Sequence, residues 1–354
     1  MRISQITPRY PPRTGGVETH VREISERLVN RGHEVVVHSA DLGPNVDRRE
    51  SRNGVEIRRH RGFSLNDAYH IAPGIASSIC QSDVDIVHAH NYHSLPAFFA
   101  ALGVTDERFV VTTHYHGESA GRFRDRLLSL YRPFGKWAIN QADQVIAVSE
   151  WERDRLREDF DINATVIPNG VEVERFASAK PESRDRPYIL TVGRLEKYKG
   201  VQHIIRAMSE LKEFDLLVVG SGPYREELER IALGEVGNRV EFLGYVADDR
   251  LPRLYAGAEV YVTLSEFEAY GMTVAEALSA GTPCVVRELR ALADWAKIHG
   301  CFGVSGTTPG IVADAVRRVS ETVPDRSRVP QWSDVTDQLE ERYGSRSTVP
   351  TSPG

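Results

Sequence analysis

SEFEAYGMTVAEALSAGTP, Ser265 to Pro283, directly follows the apolar run Val260 to Leu264, and together they read as strand, loop, helix. Gly271 stands where the loop turns into the helix, and its missing Cβ permits close backbone approach. A helix over Met272 to Ala280 points its free amides and the positive end of its dipole at that loop, which suits an anion such as a diphosphate. Glu268 lies in the loop and Glu276 about one to two turns into the helix, both able to accept hydrogen bonds from hydroxyls. Taken alone, the two glutamates read equally well as ordinary residues favoured by the helix dipole.

Outward from this stretch, short apolar runs alternate with longer amphipathic segments, which predicts α/β construction on parallel sheets. Expected strands in the first half are Arg2 to Thr7, Glu34 to Ser39, Glu56 to His60, Ile86 to His90, Phe109 to His114, Gln144 to Ser149 and Ala164 to Ile167. Val17 to Arg31 is the clearest helix, with Val17, Val21, Ile24 and Leu28 along one face and Gly32 placed to end it. The polar, proline-bearing segment Ser178 to Pro187 reads as a linker, after which the alternation restarts. Strands are expected at Tyr188 to Gly193, Leu216 to Gly220, Val240 to Leu243, Val260 to Leu264 and Pro283 to Arg287, with helices near His203 to Lys212, Tyr224 to Leu233, Leu251 to Ala256 and Met272 to Ala280. After Pro330, QWSDVTDQLEERYG predicts an amphipathic helix with Val335, Leu339 and Tyr343 on one face, and residues 346–354 predict a disordered tail. Two domains are therefore expected, residues 1–176 rejoined by a final helix over 328–345, and residues 180–327.

The 354 residues, 41% hydrophobic and 27% charged, suffice for two cores of ordinary size. A net charge of -6 and a pI near 6.1 argue against a nucleic-acid binder. Cys80, Cys284 and Cys301 are odd in number and widely spaced, which suggests neither a disulfide framework nor a zinc ribbon and fits a reducing cytoplasm. The opening MRISQITPRYPP lacks the apolar run of a signal peptide, and no stretch approaches the roughly 18 apolar residues of a membrane span. The expectation is a cytoplasmic protein, soluble or peripheral.

A second loop supplies cations. In YILTVGRLEKYKG, Tyr188 to Gly200, a strand ends at Gly193 and delivers Arg194 and Lys199 ahead of the next helix. The planar fork of arginine and the movable charge of lysine can together neutralise the charge that grows on a leaving diphosphate, without metal. Either cation alone also reads as a solvated surface charge. In VVGSGP, Val218 to Pro223, Gly220 and Gly222 end a strand, but no third glycine completes a dinucleotide fingerprint, which argues against nicotinamide chemistry.

Together with TGGVETH (Thr14 to His20), DIVHAHNYHS (Asp85 to Ser94), VVTTHYHG (Val110 to Gly117), VIAVSE (Val145 to Glu150) and VIPNGVEVERF (Val166 to Phe176), these stretches resemble glycosyltransferase family 4 over most of the chain and in family order. The resemblance implies the GT-B fold, an α/β architecture of two Rossmann-like domains whose parallel sheets face each other across a cleft. It implies a metal-independent, retaining hexosyltransferase that moves a hexose from a nucleoside-diphosphate sugar, held mainly by the second domain, to an acceptor hydroxyl held by the first. No cofactor beyond the donor substrate is implied, and the expected setting is glycolipid or cell-surface glycan synthesis. A nucleotide-sugar epimerase of the same fold and a catalytically silent sugar-binding protein are the rival readings.

By that resemblance Arg194 and Lys199 bind the diphosphate, Glu276 binds the donor ribose, and Glu268 with the loop residues Ala269, Tyr270, Gly271 and Met272 holds the sugar. Gly193 and Gly222 border the donor, Gly16 lies by the phosphates and acceptor, and Gly15, His90 and His116 lie on the acceptor side. His114 follows the threonines where the family places a sugar-contacting histidine, while His116, two positions on, would face the same side of an extended strand end. Tyr270 replaces a more usual phenylalanine, adding a hydroxyl at the sugar loop, and RELRALADWAKIHG after TPCVV departs from the small, glycine-containing segment of many relatives.

Two metal readings are weighed and set aside. His88, His90 and His93 raise a bound ion, but such a site needs three or four converging ligands, and strand-end packing at the cleft is the stronger reading. Asp83 and Asp85 form an aspartate-any-aspartate triplet that holds a divalent ion in another glycosyltransferase fold, yet here they introduce a strand, where a turn favours aspartate. No metal ligand is expected. Finally, Gly121 to Ala138 mixes Arg122, Arg124, Arg126, Arg132 and Lys136 with Leu127, Leu128, Leu130, Phe134 and Trp137. It reads either as a peripheral contact with the inner face of the cell membrane, serving a lipid-linked acceptor, or as a domain helix with buried leucines and solvated arginines, and Pro133 is expected to interrupt it.

Overall fold

The structure is a computed structural model that describes residues 1–13, 15–43, 46–65, 69–117 and 122–344. Thr14 of the TGGVETH motif and the expected tail, 346–354, lie outside the described residues. The chain divides into two units, Met1–Gly170 with Trp332–Gly354, and Val171–Gln331.

In the first unit the strands are β1 (Arg2–Thr7), β2 (Glu34–Ser39), β3 (Arg49–Arg52), β4 (Val55–Arg59), β5 (Phe63–Leu65), β6 (Tyr69–Ile71), β7 (Ile86–His90), β8 (Arg108–Thr112), β9 (Gln144–Ala147) and β10 (Thr165–Val166). Eight of them form one sheet in the order β10-β9-β8-β7-β1-β2-β4-β3, parallel throughout except for β3, which runs antiparallel to β4. Ile6, Val87, Ala89, Phe109 and Val111 from the central strands pack with Ile75, Ile79, Leu156 and Phe160 from the covering helices. The helix expected from Val17 runs Gly16–Asn30, buries Val21, Ile24 and Leu28, and is followed by Gly32 at φ 88.

Polar side chains inside this sheet fix the final helix, Trp332–Gly344, onto it. Tyr343 Oη lies 2.6 Å from His88 Nδ1 and accepts from Gln5 Nε2 at 3.3 Å, while His88 Nε2 meets Thr112 Oγ1 at 2.8 Å. Val335 and Leu339 are buried beside Tyr343 on the same face, and Glu340 pairs with Arg31 and, at 2.5 Å, with His33. The helix Arg122–Asn140 runs straight through Pro133, contrary to the expected interruption. Its inner face, with Tyr131, Gly135 and Ala138 buried, is pressed against Tyr92, so packing outweighs the one backbone bond that proline forfeits.

The second unit contains β11 (Tyr188–Val192), β12 (Asp215–Val219), β13 (Val240–Gly244), β14 (Val260–Thr263), β15 (Cys284–Arg287) and β16 (Cys301–Val304). All are parallel, in the order β13-β12-β11-β14-β15-β16, which is the doubly wound arrangement counted from β11. The strand order reverses between β11 and β14, so the crevice at their carboxyl ends is where such a sheet takes a ligand. The unit starts at Val171, earlier than the linker in the sequence suggests, because the helix Val173–Ala177 sets Phe176 against Tyr255.

Glycine lets the two crevice loops meet. Gly200 (φ 75) closes the loop after β11, and a Cβ there would stand 2.4 Å from the Leu264 carbonyl oxygen at the end of β14.

Candidate active site

Lys199 comes from the loop after β11 and Glu268 from the loop after β14. Lys199 Nζ donates to Glu268 Oε1 at 2.5 Å, with each side chain 21% exposed. The two loops are also tied through the backbone, Glu266 N donating to Tyr198 O at 2.8 Å. Burial works to lower the Lys199 pKa, but the charge and hydrogen bond of Glu268 prevail and raise it, so the ammonium stays charged.

Three residues beyond Glu268, Gly271 (φ 96) caps the helix Met272–Ala280, whose first amides have no partner within the helix. The segment that departs from the family pattern lies behind this cap. A Cβ on Gly271 would come within 3.1 Å of Leu292 and Trp295, and Trp295 Nε1 donates to Tyr270 O at 2.5 Å. Tyr270 is buried with its ring edge-on to Trp295, and its hydroxyl has no hydrogen-bond partner among the described residues. Ala269 and Met272 are partly exposed on the same loop.

Arg194 behaves differently from Lys199. Its side chain is 72% exposed and its Nε pairs with Glu196 Oε1 at 3.1 Å, so the ion pair with Glu268 is formed by Lys199. Gly193 has open space where a Cβ would be, whereas Gly222 is pressed against the Leu195 carbonyl. Glu276, on the helix behind Gly271, accepts from Tyr255 Oη at 2.9 Å. Burial pushes its carboxyl up to about 7, opposed by that hydrogen bond and by the charge of Arg175.

In the first unit the sheet reverses between β1 and β7, and the residues expected at the acceptor side gather at those carboxyl ends. Gly15 and Gly16 begin the helix after β1, and Gly16 is exposed with open space around it. His90 ends β7, with Nε2 2.7 Å from Gln5 Oε1. β8 stops at Thr112 and His114 takes φ 45, so strand alternation breaks and His114 and His116 part company. His114 makes ring contacts with His20 and His90, whereas His116 stacks on His93 with ring centroids 3.9 Å apart. His88 is occupied on both nitrogens, so the trio His88, His90 and His93 does not converge on an ion. Asp83 and Asp85 both bind Arg2, through its guanidinium at 2.5 Å and its backbone amide at 2.7 Å.

Sequence reasoning missed Glu152, although Ser149-x-x-Glu152 is a helix-start signal. Ser149 caps the helix Glu150–Phe160, accepting from Glu152 N at 3.1 Å. The buried Glu152 carboxylate accepts from Thr113 Oγ1 at 2.5 Å, Val148 N at 2.6 Å and Tyr115 N, and so grips both neighbours of His114. Burial raises its carboxyl to about 7 against those three hydrogen bonds.

Two doubly wound units make up the GT-B fold, and comparisons give the family of glycosyltransferases. Residues 14–175 match the model of Glycosyltransferase Family 4 and residues 172–323 that of Glycosyl transferases group 1. An uncharacterized glycosyltransferase of Methanocaldococcus jannaschii is 30% identical, the match covering 90% of this chain and 89% of the relative. A GDP-mannose-dependent alpha-(1-6)-phosphatidylinositol monomannoside mannosyltransferase of Mycolicibacterium smegmatis is 28% identical over 79% of this chain and 78% of its own. Among solved structures, sucrose-phosphate synthase from Thermosynechococcus elongatus superposes with a TM-score of 0.81 at 21% identity, covering 97% of this chain and 98% of that one. The chain belongs to glycosyltransferase family 4, within the group 1 glycosyl transferases.

The position of Glu276 makes the second unit sensitive to pH. Its folded pKa of about 7 exceeds the ordinary 4.5, so the stabilisation is complete below 4.5 and is lost as pH rises to 7. Glu276→Gln should therefore flatten the decline in urea resistance of residues 171–331 over that interval, read by hydrogen exchange. Parallel profiles for the variant and the parent would contradict the assignment.

Proposed function

We propose that the protein is a metal-independent, retaining hexosyltransferase that uses a nucleoside-diphosphate hexose in glycolipid or cell-surface glycan synthesis. The observation that carries this reading is the Lys199–Glu268 pair beside the amino end of the helix Met272–Ala280, at the reversal point of the second sheet. Without donor the two charges serve each other. A diphosphate arriving at the helix end draws the Lys199 ammonium to its oxygens and frees the Glu268 carboxylate to accept from the sugar's hydroxyls.

In the transfer, the bond from the anomeric carbon to the phosphate oxygen breaks, and negative charge grows on the diphosphate. Lys199 and the helix amides stabilise it, and Arg194 can join them by leaving Glu196. The acceptor hydroxyl forms its new bond on the face the diphosphate leaves, and its proton passes to a departing phosphate oxygen. Glu276 exchanges Tyr255 for a ribose hydroxyl. His114, kept neutral because burial lowers its pKa well below 6.5, offers an unpartnered Nε2 to a sugar hydroxyl.

A lipid-linked acceptor at the cytoplasmic face of the membrane is the proposed second substrate. The helix Arg122–Asn140 exposes Leu130 (71%), Phe134 (56%) and Trp137 (40%), and Phe98 stands edge-on to the last two. Arg132 and Lys136 are exposed on the same helix, while the side chains of Arg122, Arg124, Arg126, Leu127 and Leu128 lie outside the described residues. Apolar side chains beside cations favour an anionic interface, and the mycolicibacterial relative is named for a phosphatidylinositol mannoside.

Lys199→Ala and Glu268→Ala should each lower turnover by about 100-fold or more while circular dichroism stays unchanged. Near-normal turnover in either variant, or a product with inverted anomeric configuration by NMR, would refute the mechanism. The double variant Phe134→Ser/Trp137→Ser should lose sedimentation with anionic vesicles, and equal binding by parent and variant would remove the membrane from the account.

A further inference from the structure

Three imidazoles from three separate elements converge in the first unit: His20 from the helix Gly16–Asn30, His90 from the end of β7 and His114 from the turn after β8. All three are buried, and each offers a ring nitrogen that lies within 4.8 Å of those of the other two. Both nitrogens of His20, Nδ1 of His90 and Nε2 of His114 have no hydrogen-bond partner among the described residues. An unmet buried polar atom costs about 1–3 kcal/mol, so three converging rings that carry four of them call for a ligand. His88, two residues before His90 on β7, has both nitrogens satisfied, which marks the orphaned set as distinct from ordinary packing.

Gln5 prepares one of the three. Its Nε2 donates to Tyr343 Oη, which leaves Oε1 to accept from His90 Nε2 at 2.7 Å. The proton of His90 is thereby held on Nε2, and Nδ1 keeps its lone pair, the arrangement by which a neighbouring group orients a metal-binding histidine. Burial holds all three rings in the neutral, ligand-competent form. Asn169 faces His20 and opposes the lowering of its pKa, and the buried Asn169 Oδ1 has no other hydrogen-bond partner among the described residues.

We infer that His20, His90 and His114 form a binding site for a borderline divalent transition ion, with Zn2+ as the first choice and one coordination position open. Three neutral nitrogens and no carboxylate suit Zn2+ and disfavour Mg2+ or Ca2+. Zn–N bonds of about 2.0–2.1 Å in a tetrahedral set place the nitrogens roughly 3.4 Å apart, so each ring needs to move by less than about 1 Å. The site takes no part in the diphosphate chemistry proposed above, which remains metal-independent. Its consequence rests on the reading of His114 as a sugar contact: an ion there withdraws His114 from the substrate, so Zn2+ inhibits transfer and EDTA restores it.

The test titrates Zn2+ into the EDTA-stripped full chain by calorimetry, in the absence of donor and acceptor. One ion per chain is expected, weakened about 10-fold or more by Gln5→Ala and abolished by His20→Ala or His90→Ala, with circular dichroism reporting the fold. The parent chain loaded with Co2+ should show the intense visible bands of a tetrahedral nitrogen site and no thiolate charge transfer, a readout that needs no variant. Cys80→Ser should leave both results unchanged, since Cys80 is the exposed cysteine. No saturable binding, binding that survives both histidine variants, or octahedral cobalt bands would overturn the site. Because binding is read without substrates, its failure leaves the proposed function standing, whereas absence of transfer by the stripped protein would count against that function instead.

Discussion

The ion pair between Lys199 and Glu268 sets the terms for the second unit. Glu268 more than offsets the cost of burying the Lys199 ammonium, and the two residues come from loops on either side of the point where the strand order reverses. Everything nearby serves that meeting. Gly200 lets one loop reach the carbonyl of Leu264, Gly271 turns the other into a helix, and Leu292 and Trp295 brace the turn from behind. The result is a cation from one loop meeting an anion and a helix amino end from the other, the set that the proposed departure of a diphosphate from a sugar calls for.

The first unit uses buried polar groups for a different purpose. Gln5, His88, Thr112 and Tyr343 satisfy one another and clamp the final helix to the sheet. Glu152 grips the residues either side of His114 and stabilises its left-handed backbone, which a histidine adopts rarely. The result is a sharply defined turn whose histidine faces inward with a nitrogen to spare.

Much of this was legible in the chain. Strands such as β1, β2 and β7 were marked to the residue by short segments of β-branched and small residues that the fold buries on both faces, and Met272 to Ala280 was framed by its two glycines. β3 escaped because RESR is an exposed edge strand with no apolar pattern, and β16 because four residues after a glycine carry too little periodicity. The loops bearing Lys199 and Glu268 could be read because they follow strands, yet the outward turn of Arg194 depends on a rotamer and a neighbour, Glu196, that spacing does not encode. His20 stood at the end of a recognised motif and Glu152 two residues beyond another, and both were passed over. Their partners lie on elements far along the chain, and only folding brings them together.

The most direct test is a crystal structure of the chain with a nucleoside diphosphate bound. The account predicts phosphate oxygens within hydrogen-bond distance of Lys199 Nζ and of the first amides of the helix Met272–Ala280, with the contact between Lys199 and Glu268 opened. A diphosphate seated elsewhere, with that pair intact, would contradict it.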